Sequence, residues 1–247
     1  MVKIFPNIEE LNNFAAEKFV EIANHSIEKR GQFTVALAGG STPKLLYRSL
    51  ASDEFKAKID WTRVFFFFGD ERNVLPDDAE SNFRMANENL LQPLQIPDKN
   101  ILRWQTELKN AETIAENYEQ TIKNYFTFLP DDFPKFDLIL LGMGADGHTA
   151  SLFPMTEALH ETEKIVVANA VKKLNATRLT FTFSTINNAA NVMFLVAGTE
   201  KAETLREVLE GEFQSDKFPS QNVKPKNGEL FWLIDTNVAK LLSNNGN

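Results

Sequence analysis

Apolar residues recur along the chain at two spacings, and each spacing predicts a different element. Over residues 8–29 they fall three or four positions apart, which predicts a helix that Gly31 can end. Residues 33–38, 63–68 and 137–141 are short, nearly unbroken apolar runs, as expected of strands buried on both faces of a parallel sheet. Helices and buried strands are therefore expected in the same fold.

The same patterns predict further elements along the chain. Strands are expected at residues 165–168, 178–183, 192–196 and 230–234. Helices are expected at residues 43–55, 81–91, 110–128, 201–209 and 237–242. Strands alternating with helices predict an α/β fold with a mostly parallel, Rossmann-like sheet and helices on both faces. No repeat or linker divides the chain, so residues 1–247 are expected to form a single domain.

Composition narrows the chemistry that this fold can carry. The chain has 247 residues, no cysteine, three histidines and a net charge of −8. Cysteine-based metal sites and thiolate nucleophiles are excluded, and a histidine-rich metal site is hard to build. The negative charge argues against a nucleic-acid partner, and no apolar stretch approaches the roughly 20 residues that span a bilayer. We expect a cytoplasmic protein without a membrane partner, either a monomer or a weak homo-oligomer.

The turn after the first buried strand could hold a phosphate. In parallel α/β sheets, ligands bind beyond the carboxyl ends of the strands. Here Gly39 and Gly40 let the backbone approach a ligand, and Ser41, Thr42 and Pro43 open the next helix. Free N–H groups at that helix start would bind an anion. A well-capped turn without a ligand is the alternative.

The turn after the second apolar run carries charge. Asp70, Glu71 and Arg72 follow that run, and Arg84 lies shortly beyond it. Two guanidinium groups near one loop supply the local positive charge that an acidic protein needs to hold an anionic substrate. A solvated turn is the alternative here.

The turn after the third run contains a histidine. It matches the pattern G-x-G-x-x-G through Gly142, Gly144 and Gly147. Pro154 follows too soon for the long crossover helix of a dinucleotide-binding unit. His148, flanked by Asp146, lies beyond a buried strand and is well placed to act as a general base.

Together these segments resemble the 6-phosphogluconolactonases of the bacterial and eukaryotic α/β type, which are related to glucosamine-6-phosphate deaminases. The matching segments run in family order over nearly the whole chain. They are residues 37–43, 69–72, 81–85, 142–154, 178–180 and 198–202. The resemblance implies hydrolysis of 6-phospho-D-glucono-1,5-lactone to 6-phospho-D-gluconate in the pentose phosphate pathway, without a metal or cofactor.

The resemblance also implies site residues. The family's histidine corresponds to His148, and its aspartate and arginine correspond to Asp70 and Arg72. We interpret His148 as the base that deprotonates water, with Asp70 or Asp146 orienting it. The N–H groups of the Gly39 and Gly142 turns are candidates for binding the oxyanion. The candidates for binding phosphate are Arg72, Arg84, Lys173 and Arg178.

The chain departs from the family pattern after Lys173. Leu174-Asn175-Ala176-Thr177 stands where family members commonly have prolines, which predicts a less rigid loop. Two other functions remain open: a deaminase or isomerase of amino-sugar phosphates, and a sensor that binds a sugar phosphate without catalysis. Phe153 occupies the position of the deaminase's ring-opening glutamate and cannot transfer a proton. The presence of His148 argues against a sensor.

Overall fold

Six parallel strands form the central sheet of the protein. The structure is a computed structural model that describes residues 1–128 and 132–243. Its strands are β1 (Val2–Phe5), β2 (Phe33–Leu37), β3 (Val64–Phe68), β4 (Asp70–Arg72), β5 (Leu138–Leu141), β6 (Val166–Val171), β7 (Ala176–Phe181), β8 (Asn191–Val196) and β9 (Glu229–Asp235). The parallel sheet has the order β1-β9-β8-β5-β2-β3. The predicted mostly parallel α/β fold is confirmed.

The helices follow the strands much as predicted. They are α1 (Ile8–Arg30), α2 (Ser41–Leu50), α3 (Asn82–Ala86), α4 (Ala111–Tyr125), α5 (Phe183–Asn187), α6 (Ala202–Glu210) and α7 (Thr236–Ala239). α1 begins at Asn7, whose side chain accepts the N–H of Glu10, and ends at Gly31 in the left-handed conformation. None of the described helices combines the length and apolar character that crossing a membrane requires.

Helices cover both faces of the sheet, and the aromatic contacts of β3 explain its run of four phenylalanines, of which Phe66, Phe67 and Phe68 are buried and Phe65 is partly buried. Successive side chains of a strand point to opposite faces. Phe66 stacks on Trp61, which packs against Phe19 of α1. Phe67 meets Tyr125 at the end of α4 on the other face, with ring centroids 5.2 Å apart. A strand covered on both sides has no polar face to present, which explains the unbroken apolar pattern.

A second, antiparallel sheet corrects part of the sequence interpretation. Residues 70–72, predicted as a turn, form the short strand β4, and the order of this sheet is β4-β7-β6. Gly69 joins the two sheets, because its N–H donates to the Leu37 carbonyl and its carbonyl accepts the Phe181 N–H. A three-residue strand whose partner lies over a hundred positions later leaves no periodic signal. β1, at the edge of the parallel sheet, was also missed.

One further segment differs from expectation, and the loop after Lys173 forms a defined turn. The helix predicted at 81–91 is the short α3 followed by a π-helical turn at Asn87–Leu91. The loop after Lys173 is a four-residue hairpin turn between β6 and β7, in which the Asn175 N–H donates to the Lys172 carbonyl at 3.1 Å. Asn175 has a φ of 47°, a left-handed conformation that asparagine tolerates well. The turn is closed without the prolines.

Candidate active site

The ends of four neighbouring strands, β8, β5, β2 and β3, meet at one cleft, as the parallel topology requires. The cleft has two adjoining parts of about 230 and 490 Å³. We call the first the turn side, because residues 38–43 and Lys201 line it. We call the second the hairpin side, because it is lined by Phe153, Lys173, Leu174 and Arg178. Asp70, Arg72, His148 and Ala150 line both parts.

His148 forms a close pair with Asp146 between the two sides. Its Nδ1 lies 2.5 Å from Oδ1 of Asp146, and its backbone N–H also donates to that oxygen at 3.3 Å. The side chains are 28% and 24% exposed, so the pair is partly shielded but open to the cleft. Of the two carboxylates predicted to orient His148, Asp146 is the one that contacts it.

The turn around His148 is shaped to hold the imidazole. A Cβ at Gly144 would overlap Cε1 and Nδ1 of the ring, so only glycine leaves room for it. The Gly144 N–H donates to the His148 carbonyl at 2.9 Å, which closes the turn and removes this N–H as an oxyanion donor. The carbonyl of Gly142 accepts the hydroxyl of Thr149 at 2.8 Å. Phe153 stacks on the imidazole, with ring centroids 4.1 Å apart.

The negative charge of Asp146 determines which imidazole nitrogen of a neutral His148 carries the hydrogen. Burial alone would raise the pKa of Asp146, but the hydrogen bond and charge of His148 and the hydrogen bond from Lys173 hold that pKa well below its usual value. Asp146 is therefore ionised near neutral pH and accepts the hydrogen on Nδ1. This fixes the tautomer of a neutral His148, so Nε2 has a free lone pair that can accept a proton.

Asp70 is held by other partners. It is 7% exposed and accepts the Ser151 hydroxyl at 2.8 Å and the Asn82 amide at 3.2 Å. A Cβ at Gly39 would overlap the Asn82 side chain, so Asn82 also packs tightly against the turn that opens α2. Asp70 therefore lines the cleft as part of a hydrogen-bonded and packed network that connects the segments after β2, β3 and β5.

The Glu71 side chain points away from the cleft and stabilises the start of α3. It is 2% exposed and accepts the backbone N–H groups of Asn82 and Phe83 at 2.7 and 2.8 Å, which caps α3. Burial raises the pKa of Glu71, against these hydrogen bonds. Its side chain lies on the face of β4 opposite to Asp70 and Arg72, because alternate residues of a strand point to opposite faces.

Two arginines lie side by side at the cleft. Arg72 of β4 and Arg178 of β7 are directly paired across the antiparallel strands, so their side chains share a face. Burial and the nearby charge of Arg72 lower the pKa of Arg178. Among the described residues, neither guanidinium lies within 4 Å of a carboxylate oxygen. Like charges in this arrangement repel each other, and an anion between them would relieve the repulsion.

The turn side has free donors of its own. The N–H groups of Ser41 and Thr42 open the ten-residue α2 and find no acceptor in the described part of the chain. Lys201 lines the same part of the cleft, just before α6. Sequence reasoning did not select Lys201, although Gly198-Thr199-Glu200-Lys201 after β8 is another glycine turn beyond a buried strand.

Two predicted phosphate ligands are engaged elsewhere. Arg84 pairs with Glu88 at 2.8 Å and donates to the Asp77 carbonyl, and it lines neither side of the cleft. Arg84 lies on α3 four residues before Glu88, which belongs to the π-helical turn that continues the helix, and this spacing accounts for the pairing. Lys173 lines the hairpin side, but its ammonium lies 3.0 Å from Oδ2 of Asp146. Within residues 1–128 and 132–243, no group of three or more His, Asp and Glu is placed to hold a metal ion.

Comparisons with known proteins place this chain in a family. Residues 6–232 match the family model of glucosamine-6-phosphate isomerases and 6-phosphogluconolactonases. A 6-phosphogluconolactonase from Nostoc sp. is 38% identical over 242 residues, which are 98% of each chain. A 6-phosphogluconolactonase from Synechocystis sp. is 42% identical over 217 residues, 88% of each chain. The chain therefore belongs to the glucosamine-6-phosphate isomerase/6-phosphogluconolactonase family.

A solved structure supports the same relationship. The 6-phosphogluconolactonase from Trypanosoma brucei superposes with a TM-score of 0.89 at 29% identity and covers 98% of both chains. The family resemblance predicted from the glycine turns is confirmed, and so is the fold class.

Proposed function

We propose that the protein hydrolyses 6-phospho-D-glucono-1,5-lactone to 6-phospho-D-gluconate, with His148 as the general base. The observation that carries this proposal is the Asp146–His148 pair, which lies between two groups of donors and cations suited to an anionic substrate. The 6-phosphogluconolactonase relatives, which match over 98% and 88% of their chains, support the same reaction.

The proposed reaction needs no covalent intermediate. Nε2 of His148 takes a proton from water, and the water oxygen bonds to the lactone carbonyl carbon. When the resulting tetrahedral intermediate collapses, the bond to the ring oxygen breaks and the imidazolium returns its proton to that oxygen. The product is an open-chain acid that ionises in water. Asp146 remains ionised and stabilises the imidazolium while it carries the proton.

The phosphate of the substrate is assigned to the turn side. The N–H groups of Ser41 and Thr42 lie at the positive end of the α2 dipole, which favours a bound anion. Lys201 adds a point charge, and Arg72 reaches both sides of the cleft. In this arrangement the lactone carbonyl faces His148, and Asp70 forms part of the wall.

A deaminase or isomerase reaction is disfavoured by Phe153. This residue stands where the deaminase has a glutamate, and its ring stacks on His148 at 8% exposure. A phenyl ring cannot transfer a proton to a sugar ring oxygen. A sensor without catalysis would have no use for a base oriented by an ionised carboxylate.

The deciding experiment is a coupled assay with freshly prepared phosphogluconolactone beside a parallel assay with glucosamine 6-phosphate. We expect turnover of the lactone, after subtraction of spontaneous hydrolysis, and none of the amino sugar. Activity on glucosamine 6-phosphate alone would establish the deaminase function, and activity on neither would favour a sensor. The proposed reaction proceeds without a metal, so treatment with a chelator should leave turnover unchanged. Loss on chelation that one divalent ion restores would contradict the metal-free mechanism.

A further inference from the structure

Lys173, Asp146 and His148 form a chain of contacts in which one carboxylate lies between an ammonium group and an imidazole. Oδ1 of Asp146 is 2.5 Å from Nδ1 of His148, and Oδ2 is 3.0 Å from Nζ of Lys173. Both carboxylate oxygens are therefore engaged. Asp146 belongs to the turn after β5, whereas Lys173 comes from the hairpin turn between β6 and β7.

The hairpin is built to present Lys173 at this point. Val171 and Ala176 pair as the last residues of β6 and β7, which leaves residues 172–175 as the turn. The left-handed conformation of Asn175 reverses the chain there, and its N–H donates to the Lys172 carbonyl. The position of Lys173 is thus set by strand pairing and by the turn, although its side chain is 70% exposed.

Lys173 is also poorly placed for a phosphate on the turn side, where we propose that the substrate phosphate binds. The free helix N–H groups and Lys201 lie on the turn side, which Lys173 does not line. Lys173 lines the hairpin side, beyond His148. An ammonium that bound the phosphate on the turn side would have to leave Asp146, which would then keep one oxygen without its partner.

We propose that Lys173 is a positioning residue for the catalytic pair and not a phosphate ligand: its ammonium fixes the second carboxylate oxygen of Asp146 and offsets part of the charge that favours a protonated His148. This inference rests on the proposed function of His148. Two consequences follow. Lys173 keeps the carboxylate in the plane that the imidazole needs, and it keeps a larger fraction of the imidazole neutral at a given pH.

The sign of the effect follows from the charges around His148. Those that line the cleft with it are Asp70, Arg72, Asp146, Lys173, Arg178 and Lys201. Removal of the Lys173 charge takes away the cation that contacts Asp146, although Arg72, Arg178 and Lys201 remain, so protonation of His148 becomes more favourable. Because the ammonium is well exposed and screened by salt, we expect a shift of about half a pH unit upward.

The test compares Lys173→Gln with Lys173→Arg and with the matched control Lys172→Gln. Lys172 lies on the same turn but contacts no carboxylate in the described residues, so its variant removes the same charge without touching the pair. Rates are measured from pH 5 to 8 on the phosphorylated lactone and on unphosphorylated gluconolactone. For Lys173→Gln we expect the rising limb of the kcat/KM profile to move to higher pH on both substrates. At pH 6, kcat should be several-fold lower and KM should change little. Lys173→Arg should restore the profile, and Lys172→Gln should match the wild type.

A second measurement separates this inference from the proposed function. An NMR titration of the His148 imidazole, assigned with His148→Ala, reports its ionisation without substrate. The same upward shift in Lys173→Gln supports the inference even if the enzyme acts on another substrate. A raised KM for the phosphorylated lactone alone, with an unshifted titration, would make Lys173 a phosphate ligand. No change in titration or rates would also overturn the inference.

Discussion

The two ends of the parallel sheet contain the same kinds of residue in opposite arrangements. At the amino end, Asp137 pairs with Arg30 and accepts both the N–H and the hydroxyl of Thr34, at 2.8 and 3.0 Å. At the carboxyl end, Arg72 and Arg178 face each other without a carboxylate among the described residues within 4 Å. The first arrangement is complete in itself. In the second, Arg72 donates to the Glu80 backbone carbonyl but to no carboxylate of the described residues, so the arginine pair keeps N–H donors that an anionic ligand can use.

The difference teaches where to look for function in this fold. Burial raises the pKa of Asp137, against the hydrogen bonds of Thr34 and the charge of Arg30, yet Asp137 lines neither side of the cleft. A carboxyl group with a shifted pKa is therefore not sufficient evidence of an active site. The carboxyl end combines an accessible base with two arginines that no described carboxylate contacts within 4 Å.

The largest expected effect is at the carboxyl end. His148→Ala should lower kcat by roughly two to four orders of magnitude, the usual contribution of a positioned general base, while the melting temperature stays near that of the wild type. His25→Ala, at an exposed position on α1, is the control and should retain full activity. Near-normal turnover of purified His148→Ala, after background subtraction, would remove His148 from the mechanism.

A substitution at the amino end of the sheet should instead lower stability and leave catalysis unchanged. Asp137→Ala leaves the buried N–H of Thr34 without its acceptor and removes the partner of Arg30, so we expect a loss of about 2–3 kcal/mol in the free energy of unfolding. The kcat and KM of the folded fraction should be unchanged. Asp53→Ala, which removes an exposed ion pair with Lys56, should have no measurable effect on denaturant unfolding. If Asp137→Ala altered KM, the two ends would be coupled.

The role of the Arg72 charge in binding phosphate can be tested by comparing Arg72→Ala with Arg84→Ala. Arg72→Ala should raise KM for the phosphorylated lactone about 10- to 100-fold, because a charge-assisted contact to phosphate is lost. Its effect on unphosphorylated gluconolactone should be much smaller. Arg84→Ala is the control, since Arg84 pairs with Glu88 outside the cleft, and its KM should stay close to that of the wild type. Equal losses on both substrates would mean that Arg72 does not bind the phosphate.

Arg84 and Arg178 also show how far the sequence could predict the site. The apolar strand segments and the glycine turns are local sequence patterns. The parallel sheet, the turn at Gly39 and the turn that contains Gly142 and His148 were therefore predictable from them. Which arginines converge depends on pairing between β4 and β7, which are separated by a hundred residues, and no local pattern records it. The separation of Arg84 from the cleft follows from the helix turn that brings it to Glu88. Lys201 had a local signal, a glycine turn after a buried strand, that was not weighted as a site.

The smallest expected effect is on the pH profile, and it tests whether the pair acts as an ionised carboxylate with a neutral imidazole. We expect kcat/KM for unphosphorylated gluconolactone to rise with pH along a single limb, because an imidazolium cannot accept a proton. Asp146 should add no second limb, since its pKa is held well below its usual value and it is ionised throughout.

Replacement of Asp146 by Asn gives the sign of the coupling. The loss of the carboxylate removes the charge that stabilises the imidazolium, so the limb should move to lower pH by about one unit, opposite to the shift expected for Lys173→Gln. The substrate must lack a phosphate, because a phosphate also titrates near pH 6 and would obscure the enzyme's limb. A wild-type profile that is flat from pH 5 to 8, after subtraction of spontaneous hydrolysis, would contradict a histidine base and leave a carboxylate, Asp70 or Asp146, as the group that activates water.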